Sequence, residues 1–234
     1  MTTANKVIIV ERDVLAGARR AAEEFRREMT ARGTLVVNLI SSPGAGKTSL
    51  LEATAQHWAG AVRMAVLVGD IATDRDAQRL AHWTPAVQLT TGGACHLELP
   101  LVERGLAALR DQLGPADLDF LFIENIGNLV CPASHDLGEH RRAIVLSTTE
   151  GDDKPAKYPK AFRTSHALLI SKLDLLDHVP FSVEAATADA RRIQPALDVF
   201  PVSALRATGI AAWCDYLQSQ RQAILRAEAC TAHL

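Results

Sequence analysis

Apolar and polar positions along the chain fall into two alternating textures. Short apolar or β-branched runs recur as "LVVNLI", "RMAVLVG", "PAVQLT", "DFLFIEN", "AIVLST", "HALLIS" and "LDVFPVS", and most read as strands. Between many of them lie stretches with helical spacing, "TSLLEATAQHW", "LELPLVERGLAALRDQL", "SVEAATADARRIQ" and "IAAWCDYLQSQRQAILRAEA". Strands alternating with helices predict an α/β protein built of βαβ units, with a mostly parallel sheet covered by helices on both faces. Ahead of the first strand, "ERDVLAGARRAAEEFRREMTARG" predicts a helix that stops at Gly33 as its C-terminal cap. The expected division is an N-terminal helical extension over 1–33 and one nucleotide-binding domain over 34–234, with no repeat, low-complexity tract or linker to split it.

Composition narrows the partners. The chain has 234 residues, 48% hydrophobic and 22% charged, with a formal net charge of -2, which suits one domain with a sizeable core. No basic stripe is present, so nucleic acid is not an expected partner. The apolar core of "MTTANKVIIVERD" is too short for a signal peptide or a membrane span, and no later run is long enough. The expectation is a cytoplasmic protein without membrane contact. In that setting Cys95, Cys131, Cys214 and Cys230 point to metal or redox chemistry before disulfides.

Candidate chemistry begins with "SSPGAGKTSL", directly after the first predicted strand. Ligands collect at the carboxyl ends of strands in such sheets. The spacing Ser41-x-x-x-x-Gly46-Lys47-Thr48 is a P-loop with serine in place of the usual first glycine, and Gly44 keeps the turn compact. Gly44, Ala45, Gly46, Lys47, Thr48 and Ser49 form the expected phosphate cradle: backbone N–H groups and the helix N-terminus face the β-phosphate, Lys47 reaches the β- and γ-oxygens, and the Thr48 hydroxyl ligates Mg²⁺. An ordinary glycine turn entering a helix does not need strand, loop and helix in this order.

Base choice rests on two further stretches. In "SKLD" the Asp174 carboxylate can accept parallel hydrogen bonds from guanine N1–H and its amino group, with the Lys172 stem over the base. One strand later, the Ser203–Ala204 backbone can donate to the guanine carbonyl. A site built for those bonds disfavours adenine strongly, so GTP and GDP are the expected nucleotides. Glu124-x-x-Gly127 occupies the place of the second switch, Glu124 holding a Mg²⁺-bound water and the Gly127 N–H meeting the γ-phosphate. Asp70 at a strand end, and Asp76 in the loop after it, are candidates for the Mg²⁺ shell or for positioning the attacking water, whereas Asp74 reads as a solvated carboxylate.

A soft donor set follows. Cys95 and His96 are adjacent in "TGGACHLELP", and Cys131 lies just past Gly127. Two thiolates and an imidazole suit Ni²⁺ or Zn²⁺ rather than Mg²⁺. The two segments are expected to leave neighbouring strands, and His135, a water or a second chain could complete the shell. Cys214 and Cys230 in the last helix read as small buried hydrophobes.

The stretches "NLISSPGAGKTSLLE", "GDIATDRDA", "TGGACHLE", "IENIGNLVCPASHDLGE", "LSTTEGDDKPAKYP" and "SKLDLL" together resemble the nickel-incorporation GTPases of NiFe-hydrogenase maturation, the HypB family. The resemblance covers nearly the whole chain. It implies a P-loop GTPase that hydrolyses GTP and dimerises with it, with a metal site at the dimer interface on Cys95, His96 and Cys131. It also implies nickel delivery, with a maturation partner protein, to a hydrogenase large-subunit precursor. Ser171 stands where the family often has asparagine, and Gly93 where it often has lysine. No Cys-x-x-Gly-Cys motif or histidine-rich tract precedes the helix, so nickel storage by an N-terminal segment is not expected. A urease-accessory GTPase would use Cys-Pro-His, whereas Cys131-Pro132 is followed by Ala133. A small-molecule kinase and a non-hydrolysing metal-binding adaptor with a degenerate pocket stay open as other readings of the P-loop.

Overall fold

The computed structural model describes residues 10–71, 74–114 and 117–231, with side chains described from residue 16 to residue 227. Helix α1 (Val10–Ala31) leads into strand β1 (Leu35–Ser41), then α2 (Lys47–Trp58), β2 (Met64–Asp70), α3 (Arg75–Leu80) and β3 (Ala86–Thr90). Next come α4 (Leu99–Leu113), β4 (Phe120–Gly127) and β5 (Arg141–Ser147), followed by the short α5 (Lys154–Lys157) and α6 (Pro159–Arg163). Strand β6 (Ala167–Ser171), α7 (Val183–Ile193), β7 (Asp198–Pro201) and α8 (Ile210–Thr231) complete the order. Short 3-10 turns lie at Pro132–Ser134, Thr148–Glu150 and Leu173–His178.

The strands form one seven-stranded sheet in the order β3-β2-β4-β1-β5-β6-β7, and every pairing is parallel. Central strands β1 and β4 are buried throughout except at Gly127, the last residue of β4, as strands covered on both faces must be. Alternation sorts them: Leu35, Val37 and Leu39 of β1 pack with Phe120 and Phe122 under α2, α3 and α8, while Val36, Leu121 and Ile123 pack under α1 and α4. On that second face, Ile40, Ile144, Leu168 and Ile170 meet α6 and α7. The seven apolar runs of the sequence all appear as strands, and the five long helical stretches all appear as helices.

Two local features set up the site. The pairing of β1 with β4 runs Leu39 opposite Glu124 but Ser41 opposite Gly127, so β4 carries one extra residue there. Such a bulge re-aims side chains at a strand end. Helix α1 ends in a Schellman motif: the Thr34 N–H reaches Met29 O at 2.9 Å and the Gly33 N–H reaches Thr30 O at 2.8 Å, with Gly33 at φ +68°. The helix then lies on the sheet through Ala22, Phe25 and Met29, three residues on one helical face. Arg26 between them donates to Glu139 O at 3.0 Å and to both oxygens of Asp136.

Candidate functional site

The P-loop leaves the carboxyl end of β1, flanked by β4 and β5, and turns into α2 at Gly46. Gly44 and Gly46 both take positive φ, +72° and +95°, conformations that a side chain would strain. Lys47 is buried and donates to Ser41 Oγ at 2.9 Å. Burial pushes its pKa down, opposed by the carboxylates of Glu124, Asp76, Glu150 and Asp70. An ammonium held dry among carboxylates is matched to a polyanion.

Thr48 Oγ1 donates to Glu124 Oε1 at 2.8 Å. Glu124 is 4% exposed, and its other oxygen, Oε2, is buried with no hydrogen-bond partner among the described residues. Burial raises its pKa to about 7, against the pull of Lys47 and the Thr48 bond. A buried, half-satisfied carboxylate beside a P-loop hydroxyl fits a Mg²⁺ site, since a cation would stabilise the ionised form. At the end of β4, a Cβ on Gly127 would lie 2.7 Å from the Pro43 Cα, so only glycine lets the strand end approach the P-loop this closely.

Asp70 ends β2. Asp76 is not in a loop: it sits in the first turn of α3, 3.3 Å from Arg79, which also reaches Ser49 Oγ at 3.3 Å and Glu52 at 2.6 Å. A six-residue helix with charged Arg75, Asp76 and Arg79 leaves too little apolar period to be read from sequence. Asp74, its N-terminal flanking residue, bonds Gln78 at 2.7 Å.

The elements expected to read the base converge from β6 and β7. Lys172 adopts a left-handed conformation with φ +59°, and its Cε lies 4.0 Å from the position of a Cβ on Gly46. The Ser203 hydroxyl donates to Asp174 Oδ1, which fixes the carboxylate. The Ser203 N–H is taken by Thr208 O at 3.0 Å, so of the expected Ser203–Ala204 donors the Ser203 amide is already engaged. Ser171 supplies its own tie between loop and cradle, donating from Oγ to Ala45 O at 2.6 Å.

Sequence reasoning missed two supports of this pocket. Thr148 donates to Lys172 O at 3.0 Å, and Lys154 reaches Ser42 Oγ of the P-loop at 3.2 Å while pairing with Glu150 at 3.3 Å. The stretch "TEGDDKPAKYP" signals a special segment, but nothing in its spacing says that Lys154 folds back.

Next to the pocket, Cys95, His96 and Cys131 meet with their ligand atoms all within 4.8 Å of one another. The two Sγ atoms are 2.8 Å apart, and Cys95 Sγ is 3.7 Å from His96 Nδ1. His96 Nε2 has no hydrogen-bond partner among the described residues, lies 3.8 Å from Glu98 Oε1, and its ring stacks on His135 at 3.8 Å between centroids. His135 points its Nδ1 at Cys131 O, 2.8 Å away. The segments do not leave neighbouring strands: Cys95 and His96 follow the edge strand β3, Cys131 follows β4, and β2 lies between. They meet because the loops lean together, with Asn128 donating to Cys95 O at 3.2 Å. Cys214 is buried in the α8 core and its thiol is pushed up to about 12 by burial, whereas the side chain of Cys230 lies outside the described residues.

Residues 35–201 match the family described as CobW/HypB/UreG, nucleotide-binding domain. The hydrogenase maturation factor HypB of Azotobacter vinelandii is 45% identical over 224 residues, covering 95% of this chain and 73% of that protein. The crystal structure of HypB from Helicobacter pylori in complex with nickel superposes with a TM-score of 0.83 at 36% identity, over 88% of this chain and 95% of that one. HypB from Archaeoglobus fulgidus gives a TM-score of 0.80 at 33% identity, over 88% and 99% of the two chains. With a P-loop and a Cys-His-Cys cluster beyond the carboxyl ends of the strands, and with this likeness along nearly its whole length, the chain belongs to the HypB family of hydrogenase maturation factors.

Proposed function

We propose that the protein is a GTP-hydrolysing nickel chaperone in which the state of the nucleotide sets the state of a metal centre. The cradle of Gly44, Ala45, Gly46, Lys47, Thr48 and Ser49 takes the phosphates, and Lys172, Asp174 and Ala204 take the guanine. Thr48 and Glu124 would hold Mg²⁺, which when bound neutralises charge on the β- and γ-oxygens. Lys47 stabilises the charge that develops as water attacks the γ-phosphorus and the bond to the bridging oxygen breaks, giving GDP and phosphate. Asp70 and Asp76 are the candidates to orient that water.

The observation that carries the coupling is the path of β4. Gly127 lies against Pro43 of the P-loop, and Cys131 follows it closely in the chain with its thiol 2.8 Å from that of Cys95. A γ-phosphate that holds the Gly127 N–H therefore also holds a metal ligand, and its loss releases both. One chain offers three soft ligands in the cluster. Pairing of two chains with GTP would bring two sets face to face and complete the shell. The cargo is nickel, with zinc as the competing ion, and GDP would open the centre for transfer through a partner protein to a hydrogenase large-subunit precursor. Among the described residues, no helix is long and apolar enough to cross a membrane.

Nickel affinity and molecular mass, measured with GDP and with a non-hydrolysable GTP analogue, test this reading in the wild type and in Cys131→Ala. A larger mass and tighter nickel with the analogue, both lost or weakened in the variant, are expected, with a coupling of about 1–3 kcal/mol. Equal nickel affinity in both states, or full binding by Cys131→Ala, would sink the coupling.

A further inference from the structure

Beneath the metal cluster runs a chain of buried polar groups that the nucleotide chemistry does not use. Asn38 of β1, Asn125 of β4, Glu139 just ahead of β5 and Arg142 within it are all buried. The Leu97 N–H donates to Asn125 Oδ1 at 3.4 Å, Asn125 Nδ2 donates to Asn38 Oδ1 at 3.3 Å, and Asn38 Nδ2 donates to Glu139 Oε1 at 3.2 Å. Arg142 continues the chain, giving Nε to the same Glu139 oxygen at 2.7 Å and one Nη2 hydrogen to it as well. The rest of its fork turns to the far side: Nη1 donates to Ala133 O at 3.3 Å and to Thr164 Oγ1 at 3.1 Å, and Nη2 donates to His135 O at 2.7 Å. A guanidinium has five N–H donors, and each of them finds an acceptor here.

The two ends of this chain are backbone groups of the two metal-site segments. Leu97 directly follows His96, Ala133 lies in the turn Pro132–Ser134 that Cys131 opens, and His135 is the residue that closes it. That turn is a single 3-10 coil closed by the Ser134 N–H on Cys131 O at 3.0 Å. So short a coil has little stability of its own, and whatever takes its carbonyls decides where it sits. Arg142 takes two of them from inside the protein, where the low dielectric makes a fully satisfied network stiff and a broken one costly.

We propose that Arg142, oriented by Glu139 and linked through Asn38 and Asn125 to the Leu97 amide, is a positioning residue for the metal centre: it fixes the Cys131 turn relative to the Cys95–His96 segment. The proposal rests on the reading of Cys95, His96 and Cys131 as a metal site. None of the four network side chains touches the ion. They hold the backbones that carry its ligands, much as outer-shell groups hold ligands in other metal proteins.

Cobalt(II) serves as the probe, because thiolate-to-cobalt absorption and the visible d–d bands report ligand number and geometry. Titrations with a non-hydrolysable GTP analogue present compare the wild type, Cys131→Ala, Arg142→Lys and the double variant Glu139→Gln with Arg142→Met, with GDP affinity and thermal midpoint read on the same samples. Arg142→Lys keeps the charge beside Glu139 but cannot span the carboxylate and both carbonyls. It is expected to lose Co²⁺ affinity about 10- to 100-fold, with altered d–d bands, while GDP affinity moves far less. The double variant leaves no unpaired buried charge, so it tests the same loss in a fold free of that penalty. In the wild type without metal, the amides of Leu97, Ser134 and His135 are expected to be protected from hydrogen exchange. Wild-type cobalt affinity and spectrum in either folded variant, losses of GDP and Co²⁺ binding in equal proportion, or rapid exchange at those wild-type amides would each overturn the proposal. A wild type that shows no thiolate absorption, and so matches Cys131→Ala, would instead overturn the metal-site reading beneath it.

Discussion

The Ser171 hydroxyl donates a hydrogen bond of 2.6 Å to the Ala45 carbonyl, tying the end of β6 to the P-loop after β1. Serine thus does here what a longer amide side chain would do from the same position. Ser171→Ala is expected to weaken GDP binding about 2- to 10-fold, the equivalent of one hydrogen bond of about 0.5–1.5 kcal/mol, and Ser171→Asn is expected to retain it. Calorimetric GDP titrations of the three proteins decide the matter, and an alanine variant with wild-type affinity would deny the tie any role.

Guanine selection can be read through Asp174, whose carboxylate Ser203 holds in place. In Asp174→Asn, one acceptor oxygen becomes a donor, so guanine loses a partner and xanthine gains one. Competition between GTP, XTP and ATP is expected to show a shift toward XTP in the variant, with ATP weak in both proteins. ATP binding as tight as GTP in the wild type would remove the base assignment.

Lys47 combines burial with several neighbouring carboxylates. Lys47→Ala is expected to cut GTP turnover by about 10²–10³, as loss of a preorganised electrostatic contact does, without lowering the thermal midpoint of the nucleotide-free protein. The midpoint survives because the alanine spares a buried cation its desolvation. Unchanged phosphate release by the folded variant would put catalysis elsewhere.

A pH dependence follows from His140. Its Nδ1 accepts the Val36 N–H at 2.9 Å, which needs the neutral ring, and its Nε2 pairs with the Thr30 hydroxyl at 2.9 Å. Burial, with Arg26 and Arg141 facing the ring, lowers its pKa from 6.5 to about 4. Between those values the unfolded chain binds a proton that the folded one does not, so stability is full above the upper value and falls as pH drops toward the lower. The loss has a ceiling of about 3 kcal/mol. Urea denaturation at several pH values across this window is expected to show the slope in the wild type and a flatter one in His140→Gln. Equal slopes would assign the acid sensitivity to other groups.

The strands were legible because a parallel sheet covered on both faces leaves continuous apolar runs, and the P-loop because a phosphate cradle fixes its own spacing. Other features left no such trace. Reading "DFLFIEN" as a strand stops short of Ile126 and Gly127, where β4 continues through its extra residue. Periodicity cannot register a bulge. Asn38 interrupts an apolar run and Arg142 stands just ahead of one, but a polar residue in a strand does not name its partner, and Glu139 and the loop carbonyls come from elsewhere in the fold. The Cys95, His96 and Cys131 grouping was visible as donor chemistry, while its strand placement depended on sheet order, with β2 intervening.

Helix α1 also says where this chain can be cut. Gly138, at φ +74°, has no room for a Cβ, which would stand 2.6 Å from Phe25 Cδ1 and 2.8 Å from Ala22 O. The helix is thus seated on the loop that leads from Cys131 to Arg142. A fragment starting at Thr34 would bare the surface under Phe25 and Met29, each worth about 1.5–3 kcal/mol of burial, and would strip Arg26 from Asp136 and the Glu139 carbonyl. Proteolysis between α1 and β1 should therefore be slow in the folded protein, and a fragment lacking the helix should lose metal binding before it loses nucleotide.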